Sequence, residues 1–383
     1  MSNDLQQRKL FHHVEPQSIQ STYTQFTQTD FLISVGANRS LVRNSVRLVG
    51  DIKVLSAGSG DGGTRATGGI LFNRNCGAHV FFDSMTTSFA GAGAGSSAGI
   101  IETINNYPRL VAMSAVAEKN ELDMLNGSNS CELRGVNNLI MQKYANGITQ
   151  SITTGTAVAI DADFSIKPQV CLNRMDNDLP WNKTGIITLN CNLARNMDAL
   201  FGAEQDVNSS YEIRNLRITY QSVPDAVIKT PTTMQIEHNV KSTILSGTAT
   251  LSANVPAVCS GVSMNFIQTQ HDSVQVFDSN RLENPTQLDK ISFLINDKSN
   301  QLTTYNLTDQ TEILERFVDS MYNSGRNQVS LDTFRANNTF CCGIDFDGGI
   351  DLSSNRFTFQ IQSGINNAYP MAVNMYFHSA VAI

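Results

Sequence analysis

The feature of this sequence that most constrains its fold is a period-two alternation of apolar and polar residues in short segments. In VRLVGDIKV, residues 46–54, apolar side chains alternate with Arg47, Asp51 and Lys53. Successive side chains of a β-strand point to opposite faces of a sheet, so this period predicts half-buried strands. The pattern recurs along both halves of the chain, in GIITLNCNL (185–193), LRITY (216–220), VSMNF (262–266), ISFLI (291–295), FTFQI (357–361) and MAVNMYFHSAVAI (371–383). We therefore predict an all-β fold.

Two segments have helical spacing instead, one in each half of the chain. PRLVAMSAVAEKNELDML, residues 108–125, begins with a proline, which is favoured in the first turn of a helix. TDQTEILERFVDSMYN, residues 308–323, has one apolar stripe, and Asp309 followed by Glu312 resembles a helix cap. Many short strands bounded by turns, with a helix in each half, indicate a β-sandwich built twice, although the halves share no residue-level repeat.

The segment GAHVFFDSMTTSF, residues 77–89, is predicted to be a strand with apolar residues on both faces. Its consecutive bulky residues Val80, Phe81 and Phe82 would point alternately to the two faces. We expect one face to fill its own sandwich and the other to lie against the sister sandwich or another subunit. The Ala-Gly run that follows, residues 90–99, is predicted to be a loop because small residues tolerate many conformations.

The patterns divide the chain into four parts. Residues 1–36 are rich in Gln and Thr and lack a clear period, so we predict an extended N-terminal arm. The first sandwich is predicted over residues 37–224 and the second over residues 235–383. Between them, residues 225–234 are unpatterned and contain a proline, which is typical of a linker.

The composition restricts the kinds of partner. Charged residues make up 16% of the chain, below the roughly 25% usual for soluble domains, which suggests a surface covered by partners. A β protein with a Ser, Thr and Asn exterior is the alternative. The net charge is −7 and Lys and Arg do not cluster, so we expect no direct nucleic-acid binding.

The cysteines and the N-terminal sequence indicate a reducing compartment. The seven cysteines include no C-x-x-C pair, and their number is odd, so we expect buried thiols rather than disulfides or a zinc site. The N-terminal residues lack the apolar region of a signal peptide, and no apolar run approaches the roughly 18 residues of a membrane span.

Two glycine-containing motifs resemble ligand-binding loops. GSGDGG, residues 58–63, matches the spacing of a dinucleotide-binding turn, but the following TRATGG is a poor helix start, so we predict a flexible loop. Asp345, Asp347 and Asp351 resemble part of a calcium loop. Counted from Asp345, the twelfth position is Arg356, where the calcium loop of an EF-hand has a Glu ligand. We therefore favour a hairpin turn.

The remaining candidate site residues are isolated. The six histidines lack metal-ligand spacing, and no G-x-S-x-G motif marks a nucleophile. Trp181 could stack on a carbohydrate or anchor the core. Carboxylate pairs at strand or turn positions, such as Asp161 with Asp163 or Asp345 with Asp347, are too common in proteins for a catalytic role to be assigned to them. We therefore predict no catalytic residue, no cofactor and no metal, calcium at residues 345–351 being the one exception left open.

The order of these segments resembles that of a known family. In the first half the order is VRLVGDIKVL, GAHVFFDSMTTSF, a loop and GIIETINNYPRLVAM. In the second half it is SGVSMNF, DKISFLIN, a helix and FTFQIQSG…YPMAVNMYFHSAV. This layout resembles that of the double jelly-roll major capsid proteins of icosahedral DNA viruses. This lineage spans adenoviruses, tailless phages and virophage-like elements. The resemblance covers roughly residues 40–383, in layout rather than in invariant motifs.

The resemblance implies a fold, a function and partners. The fold would be two tandem eight-stranded jelly-roll β-sandwiches with a few short helices. The protein would be a structural capsid subunit of the virion, made in the host cytoplasm or nucleus, and not an enzyme. Three copies would form a pseudo-hexagonal capsomer, and capsomers would form a lattice. Further partners would be penton or minor cement proteins, and an internal membrane or membrane protein.

Two other functions stay open from the residues alone. Tandem jelly rolls also occur in glycan-processing enzymes, which need two carboxylates held about 5–10 Å apart. A receptor-binding or carbohydrate-binding spike or penton protein is the other alternative, although aromatic residues make up only 8% of the chain. The chain departs from the capsid family in lacking a basic interior arm, so genome contact would run through a membrane or another protein.

Overall fold

The architecture comes from a computed structural model. It describes residues 9–55, 72–73, 75–93, 96–118, 133–134, 159–201, 210–225, 231–244, 249–285, 288–296, 305–321, 331, 334, 339–363 and 370–383. The predicted GSGDGG loop and the end of the helix predicted over 108–125 lie outside these residues.

Strands form most of the described chain, as the period-two segments predict. In the first half they are β1 (Leu10–Val14), β2 (Gln28–Ile33), β3 (Arg39–Leu41), β4 (Arg47–Leu55), β5 (Phe82–Phe89), β6 (Gly99–Ile104), β7 (Leu133–Arg134), β8 (Ala159–Ile166), β9 (Leu179–Pro180), β10 (Ile187–Leu193) and β11 (Ser210–Pro224). In the second half they are β12 (Thr233–Ile244), β13 (Ala249–Ala253), β14 (Val258–Gln268), β15 (Leu288–Ile295), β16 (Tyr305–Leu307), β17 (Cys341–Asp351), β18 (Phe357–Ser363) and β19 (Met371–Ala382).

The helices of the described chain are short. They are α1 (Tyr107–Glu118), α2 (Trp181–Thr184), α3 (Asn196–Ala199) and α4 (Gln310–Ser320). The predicted cap of α4 is confirmed, because the Asp309 side chain accepts hydrogen bonds from the backbone N–H groups of Thr311 and Glu312. No helix in the described part of the chain is long and apolar enough to span a membrane.

The strands form three sheets. A seven-stranded sheet has the order β7-β8-β4-β11-β3-β9, with β1 added to β11, and contains only first-half strands. A four-stranded sheet, β13-β18-β15-β16, contains only second-half strands. The eight-stranded sheet β17-β14-β19-β12-β6-β5-β10-β2 contains four strands from each half, joined where β12 lies parallel to β6 at His238 and Thr103.

Each half is a sandwich whose core is rich in aromatic side chains. In the first half, Phe82 of β5 meets Phe164 of β8 edge to face, with ring centroids 6.2 Å apart. In the second half, Phe357 of β18 meets Phe377 of β19, with centroids 5.2 Å apart and planes at 87°. Offset and edge-to-face pairs of this kind stabilise a core beyond the area that they bury.

The structure corrects the strand predicted over residues 77–89. Residues Gly77–Phe81 form a 3-10 turn, and the strand begins at Phe82. Val80 and Phe81 are buried as parts of this turn, while the second face of the strand carries Ser and Thr. Val80 and Phe81 are therefore buried as part of the turn, and Phe82 as the first residue of the strand. The strand does not have two apolar faces.

The structure also shortens the predicted N-terminal arm. Residues 28–33, within the range 1–36, form β2, which pairs antiparallel with β10 in the eight-stranded sheet. Phe31 is fully buried, and Tyr23 forms a backbone bridge to Ile213. These buried contacts come from strands more than 150 residues away in the chain, which local periodicity does not reveal.

Parts of the Ala-Gly run, at residues 90–91 and 97, pack closely against residues 183–186. Gly91 donates a backbone hydrogen bond to the Thr184 carbonyl at 2.8 Å. A Cβ atom at Gly185, which has φ of 65°, would lie only 2.4 Å from the Gly91 carbonyl oxygen. Glycine is required here because the backbones approach each other closely.

The expected thiols are present where the structure describes them. Six of the seven cysteines are buried thiols outside any disulfide: Cys76, Cys171, Cys191, Cys259, Cys341 and Cys342. The seventh, Cys131, lies outside the described residues.

Candidate functional site

The two halves meet at a polar contact region, which we call the seam. From the first half it includes β6, α1 and residues 171–174; from the second half it includes β12, β19 and residues 269–283, which we call the docking loop. Strand β19 shows why the seam is polar. Val373, Met375 and Phe377 alternate with Asn374, Tyr376 and His378, and all six residues are buried. The apolar set fills the second sandwich, and the polar set faces the first half.

Four ionisable residues form a buried network across the seam. Glu237 of β12 accepts hydrogen bonds from His378 Nδ1, at 2.6 Å, and from Arg174. Arg174 also donates to Glu102 of β6 at 2.7 Å. Glu102 further accepts the backbone N–H groups of Cys171 and Glu237, at 2.7 and 2.8 Å. The network thus joins two residues of the first half to two of the second.

Burial and charge act in opposite directions on these carboxyl groups. Burial, the largest influence, raises the pKa of Glu102, and Arg174 only partly offsets it. Burial also acts to raise the pKa of Glu237, but His378 and Arg174 outweigh it and lower that pKa. The partners of Glu237 therefore favour its ionised form, whereas burial disfavours the ionised form of Glu102.

A second ionic cluster lies where the docking loop meets the first half. Arg109 of α1 donates to Asp272 at 2.5 Å and to the Ser279 carbonyl at 2.9 Å, and Lys241 lies 3.0 Å from Asp272. Burial acts to raise the pKa of Asp272, but Arg109 and Lys241 outweigh it, so the pKa is lowered. The cluster therefore holds an ionised carboxylate between two cations.

Further hydrogen bonds add to this docking. Asn280 donates to the Asp198 carbonyl at 2.8 Å, and Ser279 donates to the Met197 carbonyl at 3.2 Å. Asn73 donates to Asp278 at 2.7 Å. The docking loop is therefore held to the first half along much of its length.

Contacts within the docking loop also stabilise its conformation. His271 Nδ1 lies 2.6 Å from Glu283, which also contacts Arg281. Phe277 packs against His271, with ring centroids 4.3 Å apart. These contacts fix the loop in the conformation that reaches the first half.

A cavity of about 70 Å³ lies beside the second cluster. It is lined by three acidic and three basic side chains: Asp83, Asp198, Asp272, Arg109, Arg195 and Lys241. Its charges balance, and Arg195 pairs with Asp198 at 2.6 Å. This arrangement can hold ordered water but favours neither an anion nor a cation.

The structure places the sequence-predicted candidates apart from the seam. At residues 345–351, Asp345 accepts the backbone N–H of Asp347 at 2.9 Å, and Asp351 accepts from Ser353 and Ser354. These carboxylates stabilise their own turns. Within the described residues, no three His, Cys, Asp or Glu side chains are arranged to hold a metal ion.

The other candidates have local roles. Trp181 is half-buried and packs against the core. Asp163 lies directly across from Asp51 on β4, and the hydrogen bond between the two carboxyl groups raises the pKa of Asp163. The side chain of Asp161 lies outside the described residues.

Sequence reasoning missed the seam residues. Glu102 and Glu237 each follow an isoleucine inside a predicted or observed strand, in GIIETI and MQIEHNV. A carboxylate within an apolar strand is the one local feature that they share. It does not show whether the carboxylate is buried, because a buried carboxylate needs a charged partner and these partners lie 63 to 141 positions away in the chain.

Several large apolar side chains are exposed on the single chain. Phe11, Ile19 and Phe26 precede β2 and are 78%, 71% and 70% exposed; Ile100, beside the Ala-Gly run, is 72% exposed. Exposed apolar groups concentrated in one segment are typical of surfaces that contact partners.

Comparisons with known proteins relate this fold to viral capsid proteins. No protein-family model matches the sequence, and no curated protein is similar to it. The structure is similar to the Faustovirus major capsid protein, with a TM-score of 0.66 at 7% identity, covering 98% of this chain and 90% of that one. It is also similar to a chain of the Sputnik virophage structure, with a TM-score of 0.63 at 10% identity, covering 98% and 88%.

A third similar structure is the mavirus major capsid protein, with a TM-score of 0.55 at 11% identity, covering 97% of this chain and 90% of that one. The similarity extends over nearly the full length of each chain, although few residues are identical. It confirms the predicted double jelly-roll fold.

Proposed function

We propose that this protein is a structural capsid protein, copies of which build the icosahedral shell of a virus. The observation that carries the proposal is the full-length double jelly roll, whose similar structures include major capsid proteins of Faustovirus and mavirus. On this proposal the protein is located in the virion and its role is structural rather than catalytic. The likeness favours it over a glycan-processing enzyme or a receptor-binding spike.

The sheet organisation supports a division into two jelly-roll domains. We propose that residues 37–224, together with β2, form the first domain, that residues 225–234 form the linker, and that residues 235–383 form the second. The seven-stranded and four-stranded sheets each draw on one half only. Among the described residues, the halves are joined by the parallel pairing of β6 with β12 and by an isolated antiparallel bridge between Met175 and Met234 of β12.

The proposed assembly unit is a homotrimer. Three copies of two side-by-side sandwiches give a six-sided block that can tile a shell, whereas a two-fold dimer does not. The seam supports this geometry because it fixes the two sandwiches of one chain relative to each other. The exposed apolar residues Phe11, Ile19, Phe26 and Ile100 would lie in contacts between chains.

The proposed partners are other copies of the chain, first in the trimer and then in a lattice of capsomers. Penton and minor cement proteins, and an internal membrane or membrane protein, would complete the particle. The net charge of −7 supports contact with the genome through such partners rather than directly.

The mass of the full-length protein in solution tests this function. Native mass spectrometry should give a species of three times the 41.9 kDa chain mass, and negative-stain electron microscopy should show six-sided particles or shells. A stable monomer at micromolar concentration, with no larger species, would contradict the capsid proposal.

A further inference from the structure

The buried network of the seam is almost completely removed from solvent. The side chains of Glu102, Glu237 and His378 are 0%, 2% and 1% exposed, and that of Arg174 is 19% exposed. Two members come from the first half and two from the second. Any change in its charge therefore acts at the contact between the halves.

The charges of the network balance only when it holds an additional proton. Two carboxylates and one guanidinium leave a net charge of −1 if the His378 imidazole is neutral. A buried uncompensated charge is strongly destabilising, and a single proton removes it. The geometry accommodates the proton, because His378 has an oxygen partner at each ring nitrogen, Glu237 at 2.6 Å and the Ser263 hydroxyl at 3.0 Å.

Among the described residues, the titratable side chains next to the network do not supply the missing positive charge. Burial raises the pKa of the Cys171 thiol well above its usual value, and raises that of Cys259 to about 12. Burial also raises the pKa of Tyr376 and lowers that of His238. All four groups are thus neutral near neutral pH.

We propose that the network of Glu102, Arg174, Glu237 and His378 holds one exchangeable proton at neutral pH. This proton stabilises the contact between the two halves of the chain, which therefore depends on pH. The proton belongs to the coupled network as a whole and is not assigned to one side chain. Its loss leaves a net negative charge between the halves and weakens the seam. The proposal concerns the fold of the single chain and does not depend on the proposed function.

The sign of the pH dependence follows from this proton count. The folded chain binds one proton more than the unfolded chain, so this contribution to stability is present at mildly acidic pH and is lost as the pH rises. The raised pKa of Glu102 acts in the same direction. The lowered pKa of Glu237 acts only in acid, where that carboxylate is protonated.

Equilibrium unfolding of the full-length protein in urea, between about pH 6 and about pH 8.5, tests this pH-dependent stabilisation. For each bound proton, the unfolding equilibrium constant rises up to about tenfold per pH unit. We expect this rise in the wild type and a smaller one in His378→Asn, which lacks the imidazole. Glu102→Gln removes one negative charge, so it should also flatten the pH dependence, even if its stability at each pH is lower.

His238→Asn is the matched control. His238 lies next to Glu237 on β12 but is hydrogen-bonded to Ser379 rather than to the network. Because burial lowers the pKa of His238, this variant should keep the wild-type slope above about pH 7.5, where this imidazole is largely neutral in both the folded and the unfolded chain. The readout is the slope against pH and not the absolute stability, which any substitution at the seam lowers. If His378→Asn does not fold, Glu102→Gln alone decides the outcome. A wild-type slope in the folded variants would overturn the proposal.

Discussion

Arg109 and Asp272 lie 2.5 Å apart although they belong to different jelly rolls, Arg109 to helix α1 and Asp272 to the docking loop. Their side chains are 4% and 17% exposed. Removal of Arg109 leaves the partly buried Asp272 carboxylate with Lys241, whose side chain is 44% exposed, in place of a buried cation. We therefore expect Arg109→Met to lower the free energy of unfolding by about 3 kcal/mol, as measured by urea denaturation.

The exposed pair Arg214 and Glu212 provides the comparison for this substitution, since its side chains are 41% and 27% exposed. Arg214→Met should cost at most about 0.5 kcal/mol. Equal effects of the two substitutions would show that the Arg109 pair does not hold the halves together.

Asp278 gives the docking loop a pH dependence of its own. Burial raises the pKa of Asp278 to about 6, and hydrogen bonds from the Asn280 backbone and Asn73 only partly offset this. A raised carboxyl pKa stabilises the fold below the ordinary value, and this contribution is lost as the pH rises through about 6. We expect the melting temperature of Asp278→Asn to depend less on pH between about 4 and about 6.5 than that of the wild type.

The effect at Asp278 should amount to about 2 kcal/mol over this range. Asp347→Asn is the control, because Asp347 is exposed and lies at a turn with φ of 45°, a conformation that asparagine tolerates. Differential scanning fluorimetry at several pH values provides the measurement. Parallel curves for the wild type and Asp278→Asn would contradict the expectation.

The buried cysteines should be unreactive until the chain unfolds. Burial raises the pKa of Cys171, Cys191 and Cys341, so almost no thiolate is available at neutral pH. We expect iodoacetamide to leave these three cysteines unmodified in the folded protein and to label them in urea without a reductant, as read by peptide mass spectrometry. Labelling in urea that appears only after reduction would instead indicate disulfides.

The sequence predicts the strands well because their pattern is local. The segment 216–220 lies within β11, the segment 46–54 lies within β4 except for its first residue, and the cap at Asp309 is confirmed. The 3-10 turn before β5 was missed because it depends on a distant loop. Asn73, whose side chain accepts the backbone N–H of Cys76 at 3.2 Å, is itself bonded to Asp278 of the second half.

The seam was beyond local reasoning for a related reason. Glu102 meets a partner 72 positions along the chain, and His378 meets one 141 positions away. A single Glu in a strand looks the same in sequence whether it faces water or a buried Arg. The packing of one jelly roll on the other decides which of these environments the Glu occupies. That environment in turn sets the pKa of the carboxyl group.

The exposed apolar residues of the N-terminal segment should act in assembly rather than in folding. Phe11, on the edge strand β1, is 78% exposed, and Ile19 and Phe26 are similarly exposed, so their replacement by Ser removes little packing within one chain. We expect the triple variant Phe11→Ser, Ile19→Ser, Phe26→Ser to keep the melting temperature within about 2 °C of the wild type, since surface substitutions change stability by about 0.5 kcal/mol or less. If the proposed capsid function holds, this variant should form shells poorly in negative-stain micrographs.

Phe31→Ser distinguishes an effect on assembly from an effect on folding. Phe31 lies on β2 only a few residues beyond Phe26, but it is fully buried against the first sandwich. Its replacement should cost about 3–5 kcal/mol and lower the yield of folded chain. If the triple variant instead loses stability as Phe31→Ser does, its residues belong to the fold. If it forms shells as readily as the wild type, these apolar side chains make no contact that assembly requires.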